Sequence, residues 1–374
     1  MPSTNITPPS LDRVRGCVLG GAIGDALGNP IEFDPTDVIR AEYGSAGLTG
    51  LTGLTPDGFA VITDDTQMTL FTIDGLLRGG TTNEASPSAV MSEMYWAYQR
   101  WFRTQNQREA QDPPDGWLAG EAWLYHRRAP GLACLSGLRS EPPAPNAPLH
   151  GAGPVNPESK GYGTVMRSAP FGLAWGPENA FEHAARCARL THGHPTGYLA
   201  AGAFAAIVSL VARDTGFTAA IEETLTIVAR YPDHRETTDA IVRAVNAAAT
   251  AAPTPERVER VGGGWIAEEA LAVGLYCALA AESDTGAKPE VIARALLASV
   301  NHSGDSDSTG SICGNLLGAR HGRDALPIQW LTHVEHTDAI DAAAIDLASA
   351  LGTPDAPPRD ADYWRSRYPT TGAK

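Results

Sequence analysis

Two short stretches of the chain concentrate hard oxygen ligands. Residues 301–310, Asn-His-Ser-Gly-Asp-Ser-Asp-Ser-Thr-Gly, set two carboxylates, Asp305 and Asp307, among four hydroxyls. They run into residues 311–320, an apolar stretch that reads as a buried helix. An acid in the turn that opens a helix caps free N–H groups and meets the positive end of the helix dipole, so capping accounts for one of the two. Two acids interleaved with hydroxyls also form the donor set that suits Mg²⁺, Mn²⁺ or Ca²⁺. From Asp305 to Gly310 the pattern mimics the start of an EF-hand loop, but Leu316 stands where the twelfth-position glutamate would be. The second stretch, residues 62–71, places Asp64 and Asp65 between Thr63 and Thr66, again ahead of an apolar helical pattern. Adjacent carboxylates repel and need a compensating charge. A cation shared with Asp305 and Asp307 would supply it. Two unrelated helix caps are the alternative.

Other segments could bind a ligand. Residues 160–167 place Gly161 and Gly163 around Tyr162, which lets backbone N–H groups approach phosphate oxygens closely. The Gly-Lys-Ser/Thr ending of a P-loop is missing. His192 and His194 flank Gly193 in a helix break, with no Cys or third His beside them, so hydrogen bonding suits them better than metal ligation. Trp265 follows three glycines in a loop that could carry its ring over a ligand, or it packs on the next helix. Asp25 and Glu32 close the first helix, where Asp25 could bond to nearby backbone.

The elements that must hold these residues are helices. Gly16, Gly20, Gly24 and Gly28 recur at spacing four, as do Gly310, Gly314 and Gly318. Each mid-helix glycine costs about 1 kcal/mol against alanine, so whole stripes imply close approach of another backbone. The two striped helices are predicted to be central and to face each other. Residues 88–104 read as a helix with a core-forming aromatic face, and 117–128 as another helix. Helices are also predicted over 177–190, 196–213, 219–229, 237–249, 267–280 and 289–300. Residues 44–58 read as a loop with room for a short hairpin, and the six prolines of 141–159 as an extended loop.

The 374 residues carry a formal net charge of −15, which excludes a nucleic-acid backbone or an anionic membrane as the main partner. With 43% hydrophobic residues the chain can bury a large core. Residues 1–10 are polar and proline-rich, without the apolar core of a signal peptide. The longest apolar run, 200–212, is broken by Gly202 and Ser209 and is too short to span a bilayer. Five scattered cysteines without a CxxC read as reduced thiols of a cytoplasmic protein.

Taken in order, the segments resemble the ADP-ribosylglycohydrolase family over residues 14–351. The resemblance rests on Arg15 to Gly28, on Thr63-Asp64-Asp65-Thr66, on Lys160 to Arg167, on Thr191-His192 and on Gly304 to Gly310. It implies an all-α, compact, orthogonal multi-helix fold in a single domain, 11–352, between an extended or disordered N-terminus (1–10) and a C-terminal tail (353–374). It implies a site for two Mg²⁺ ions, with Mn²⁺ as an alternative, held by Thr63, Asp64, Asp65, Asp305, Asp307 and Ser308. Ser308 stands where many relatives have threonine. Glu32 matches the family's mobile acid. The residues implied in catalysis are Glu32, Asp65 and Asp305. Those implied in substrate binding are Gly161, Tyr162, Gly163, Thr164, Met166, His192, Trp265 and Gly304. Many bacterial relatives have a small residue or Cys where Tyr162 would stack on adenine.

The reaction implied is hydrolysis at the anomeric carbon of ADP-ribose, releasing it from modified protein side chains, with arginine as the favoured acceptor. The metals would fix ribose hydroxyls and orient a water. That differs from ordinary glycosidases, whose paired carboxylates work without metal. The partners implied are ADP-ribose or an ADP-ribosylated protein, with the enzyme a monomer. Alternatives are a hydrolase of another ADP-ribose conjugate or nucleotide, an immunity protein against an ADP-ribosylating toxin, and a non-catalytic descendant. Four intact aspartates argue against the last.

Overall fold

A computed structural model describes residues 6–79 and 86–369, and among these no strand forms. The chain begins with α1 (Leu11–Gly28), α2 (Thr36–Tyr43), α3 (Asp64–Gly79) and α4 (Pro87–Asn106). Short helices follow at α5 (Trp117–Gly120), α6 (Leu132–Gly137) and α7 (Ala169–Ala174). The middle of the chain gives α8 (Pro177–Ala188), α9 (Pro195–Val211), α10 (Phe217–Val228), α11 (Arg235–Thr250) and α12 (Pro255–Val261). The last third gives α13 (Ala267–Glu282), α14 (Lys288–Val300), α15 (Ser306–His321), α16 (Ile328–Leu331), α17 (Thr337–Ala350) and α18 (Ala361–Arg367).

The glycine stripes meet as predicted. α1 and α15 run antiparallel, with Gly16 against Gly318, Gly20 against Gly314 and Gly24 against Gly310. A methyl group on Gly16 would stand 2.5 Å from the Gly318 carbonyl oxygen, and those on Gly20 or Gly24 would strike backbone outright. The helix penalty of the glycines is thus offset by backbone-to-backbone contact, and the Asn315 amide adds a bond of 2.7 Å to the Cys17 carbonyl. The seam ends with Gly28 against the backbone of Ser306 and Asp307. It therefore sets the end of α1 beside the acid-rich start of α15.

α9 is buried on nearly every side, which suits a helix of alanine, glycine and large aliphatics. On α4, Met91, Met94, Tyr98 and Trp101 are core residues. All five cysteines are buried and free.

Two local expectations are corrected. The helix predicted over 117–128 breaks at Glu121, whose extended backbone lets its carboxylate accept the indole N–H of both Trp117 and Trp123. Only α5 and a 3-10 turn, Ala122–Tyr125, remain of it. No hairpin forms in 44–58, where Gly44, Gly47, Gly53 and Gly58 take positive φ in successive turns. The chain pairs instead through an isolated bridge from Ala60 to Val334.

The described part of the segment read as a C-terminal tail carries α18. The buried Asp346 carboxylate anchors it, accepting from Arg367 Nε at 2.7 Å and from the hydroxyls of Tyr363 and Tyr368, the latter at 2.8 Å. At the other end, Ser10 caps α1. Residues 1–5 and 370–374 lie outside the described residues. No described helix is long and apolar enough to cross a membrane.

Candidate active site

Asp25 of α1 organises the first acid stretch. Its carboxylate accepts the Thr63 N–H at 2.9 Å and the Thr66 N–H at 3.1 Å. It thus caps α3 from a neighbouring helix, and the backbone-bonding role foreseen for it holds. The carboxylates of Asp64 and Asp65 are thereby released from capping their own helix. Asp64 accepts the Gly131 N–H at 3.3 Å. Thr63 Oγ1 accepts the Asp65 N–H at 3.2 Å.

In the second stretch Asp305 does cap α15, accepting the Ser308 N–H at 3.3 Å through Oδ1. Among the described residues its buried Oδ2 has no hydrogen-bond partner, nor has Oδ1 of Asp65. The Ser308 hydroxyl joins the two stretches, donating to Asp65 Oδ2 at 2.9 Å across 243 residues of sequence. Asp307 accepts the Ser308 N–H at 2.8 Å. Glu32, just beyond the end of α1, brings one carboxylate oxygen within 4.8 Å of an oxygen each from Asp305 and Asp307.

Six carboxyl groups thus share one region: Asp25, Glu32, Asp64, Asp65, Asp305 and Asp307. The five aspartates are buried and Glu32 is half-buried. Among the described residues none of the six pairs with a Lys or Arg. Burial, then the charge of Asp307, pushes the Asp25 carboxyl up to about 7 and Glu32 up to about 9. The same two causes hold Asp64, Asp65 and Asp305 well above the usual range, and burial raises Asp307. Buried carboxylate oxygens without a hydrogen-bond partner, in a cluster of acids that no Lys or Arg neutralises among the described residues, fit a divalent metal held by oxygen ligands.

The glycine loop lies beside this cluster. A 3-10 turn, Tyr162–Thr164, follows Gly161, and Gly161 bridges to Ile266. Burial raises the Tyr162 phenol, and the charges acting on it are those of Asp305, Asp307, Asp64 and Asp65. Tyr162 is therefore the part of the loop that feels the acids. The Thr164 hydroxyl is used structurally, donating to the Gly197 carbonyl at 2.6 Å. Methyl groups on Gly161 or Gly163 would press on the His192 ring, at 2.9 Å from Nε2 and 3.3 Å from Cε1. His192 is thus brought to the loop. His194 is not, for it caps α9 through Nδ1, 3.2 Å from the Thr196 nitrogen.

Met166 is brought to no cleft. Its side chain is entirely in the core and its carbonyl accepts from Thr69. Gly304 packs against the backbone of Gly263, whose carbonyl accepts the Asp305 N–H at 3.0 Å. Trp265, 41% exposed, stacks on Phe33 with ring centroids 5.3 Å apart. Phe33 is 63% exposed, follows Glu32 directly and has a φ of 74°. A bulky residue in that conformation marks a constrained turn. Phe33 escaped the sequence reading. Its position after Glu32 was the only available signal, because the positive φ leaves no trace in residue type.

Comparison with known proteins gives the family and the fold. The family model described as ADP-ribosylglycohydrolase matches residues 7–357. The chain is 26% identical over 339 residues to the ADP-ribosyl-[dinitrogen reductase] glycohydrolase of Rhodospirillum rubrum, covering 88% of this chain and 93% of the relative. It is 24% identical to ADP-ribosylhydrolase ARH3 of Homo sapiens, covering 90% and 93%. A solved structure of an ADP-ribosylglycohydrolase-related protein complex superposes with a TM-score of 0.59 at 25% identity, over 90% of this chain and 97% of that one. The chain belongs to the ADP-ribosylglycohydrolase family. It is an ADP-ribosyl glycohydrolase, a hydrolase of the glycosidic bond in ADP-ribose conjugates.

Proposed function

We propose that this enzyme removes ADP-ribose from modified protein side chains in a reaction that depends on two divalent cations, Mg²⁺ or Mn²⁺. Arginine-linked ADP-ribose is the favoured substrate, and the enzyme acts as a cytoplasmic monomer. One observation supports the metal dependence: among the described residues, six neighbouring carboxyl groups, two of them with buried oxygens that lack a hydrogen-bond partner, form no ion pair with a Lys or Arg. Thr63, Asp64, Asp65, Asp305, Asp307 and Ser308 are the residues that would hold the ions. When bound, they supply Lewis-acid polarisation and a more acidic water.

The protein's own groups do the rest. The Gly161–Gly163 backbone offers N–H groups to the diphosphate. His192 holds an oxygen of the bound sugar or phosphate. Glu32, half-buried just beyond the end of the seam, gates the cleft or carries a proton. Trp265 and Phe33 form the apolar rim that keeps water from the far side.

The test uses arginine-linked and serine-linked ADP-ribosylated substrates, prepared separately, with Mg²⁺ and with a chelator. The expected result is ADP-ribose release from the arginine-linked substrate only when Mg²⁺ is present. Equal release in the chelator would overturn the metal dependence, and release from the serine linkage alone would overturn the acceptor.

A further inference from the structure

Behind the glycine loop lies a buried cation with no acid beside it. Arg167 is almost fully buried, and among the described residues it makes no ion pair. Its Nη1 donates to Cys134 Sγ at 3.2 Å, and its guanidinium carbon lies 4.5 Å from the centroid of the Tyr98 ring. Burial pushes the Cys134 thiol up to about 11, so this sulfur is a neutral acceptor. Nη2 of Arg167 donates to the hydroxyl of Thr191 at 2.6 Å.

The hydrogens behind that bond can be counted. A guanidinium only donates, so Thr191 Oγ1 accepts, and the hydroxyl has one hydrogen left to give. Two acceptors are within reach, His192 Nδ1 at 2.8 Å and the Ala188 carbonyl at 3.3 Å. The Ala188 carbonyl already accepts the N–H groups of Thr191 at 3.1 Å and His192 at 3.0 Å, which occupies both its lone pairs. The hydroxyl hydrogen therefore goes to Nδ1. Burial, then the charge of Arg167, pushes His192 down to about 3, so the ring is neutral near pH 7. A neutral ring that accepts at Nδ1 carries its proton on Nε2. Among the described residues Nε2 makes no hydrogen bond, and it faces the place where Gly161 lacks a side chain.

We propose that Arg167 and Thr191 are positioning residues that lock His192 as the Nε2–H tautomer, so that the buried ring offers one fixed donor to a phosphate or sugar oxygen held on the 161–164 loop. The ligand's identity rests on the function proposed above, whereas the tautomer does not. A ring free to exchange tautomers would present an acceptor part of the time, and an acceptor repels the lone pairs of a phosphate. Because Arg167 has no carboxylate partner, its charge also remains available beneath the loop.

The experiment is nitrogen-15 NMR of the full chain labelled at histidine, with His192 identified by the signal lost in His192→Gln. The wild-type ring should show a protonated Nε2 and a bare Nδ1, unchanged between about pH 5 and 8. Thr191→Val keeps the shape and deletes the hydroxyl. It should give mixed tautomers and raise the ADP-ribose dissociation constant about fivefold, the loss of one neutral hydrogen bond. Thr191→Ser should restore both. A wild-type proton on Nδ1, or an unchanged tautomer in Thr191→Val, would overturn the relay. If Thr191→Val does not fold, the wild-type spectrum alone decides. A correct tautomer in a chain that binds no ADP-ribose leaves the relay standing and removes the ligand reading instead.

Discussion

Helix α3 carries two buried carboxylate sites ten residues apart, and they are built on opposite principles. At its start, Asp64 and Asp65 face other acids and no cation. One turn past its middle, Asp74 is equally buried but fully neutralised. It accepts Arg78 Nε at 3.0 Å and Arg100 Nε and Nη2 at 2.9 and 2.6 Å. Arg78 goes on to the Asp115 and Pro369 carbonyls, so this network ties α3 to the C-terminal segment. Burial of an acid alone thus says nothing about function. The Asp74 carboxylate is already met by two arginines, whereas the Asp64–Asp65 site has charge still to be met.

Substitution separates the two. Asp307→Ala should abolish turnover, by on the order of a thousandfold or more at saturating Mg²⁺, because a ligand to the reacting centre is lost. The metal-free protein should fold at least as well, since repulsion is relieved. Asp74→Ala should do the reverse, leaving two buried arginines short of a partner and costing about 3–5 kcal/mol in denaturant unfolding. Turnover per folded molecule should survive. Wild-type turnover in Asp307→Ala, or a stable Asp74→Ala, would erase the distinction.

The pH dependence of stability sharpens it further. Carboxyls raised in the folded state bind protons more tightly there than in the unfolded chain. Their contribution is therefore full below the ordinary carboxylate range and is lost as pH rises through the folded value. For Asp25 that loss ends near 7, and for Glu32 near 9. In chelator, the melting temperature should fall as pH is raised from about 4 to about 9. Saturating Mg²⁺ should flatten the fall, since the ion stabilises the ionised state. A metal-free melting temperature that rises across the same interval would mean that the cluster is compensated from within.

The smallest effect concerns the loop. Gly163→Val should weaken ADP-ribose binding about tenfold, as crowding displaces the backbone from the diphosphate. Its branched side chain would meet Cys134 Sγ, 2.8 Å from the first added carbon, and the His192 ring. Calorimetry should find Mg²⁺ affinity nearly intact. Equal loss of both ligands would make Gly163 a support of the whole cleft.

Much of this was legible in the residues. Helix-start acids among hydroxyls marked Asp64, Asp65, Asp305 and Asp307, and spacing four among the glycines foretold the central seam. Both signals are local and periodic. What stayed hidden depends on tertiary partners. Asp25 was foreseen as a backbone acceptor, but the N–H groups that donate to it lie 38 and 41 residues away. Met166 matches a family motif in one dimension and faces the core in three. Glu121 breaks a predicted helix where its carboxylate accepts two indoles, one on each oxygen, an arrangement no propensity scale encodes. The Thr191 hydroxyl drew notice only as the neighbour of His192.

The glycine seam has one more consequence. A helix interface normally adapts by exchanging rotamers, and between α1 and α15 there are hardly any rotamers to exchange. The pair behaves as a ruler of fixed length, with Asp25 and Asp307 as marks on it. Whatever opens and closes around a substrate must therefore hinge in the turns beyond the ruler's end, at Glu32–Phe33 and at Gly262 to Trp265, while the distance between the marks stays constant.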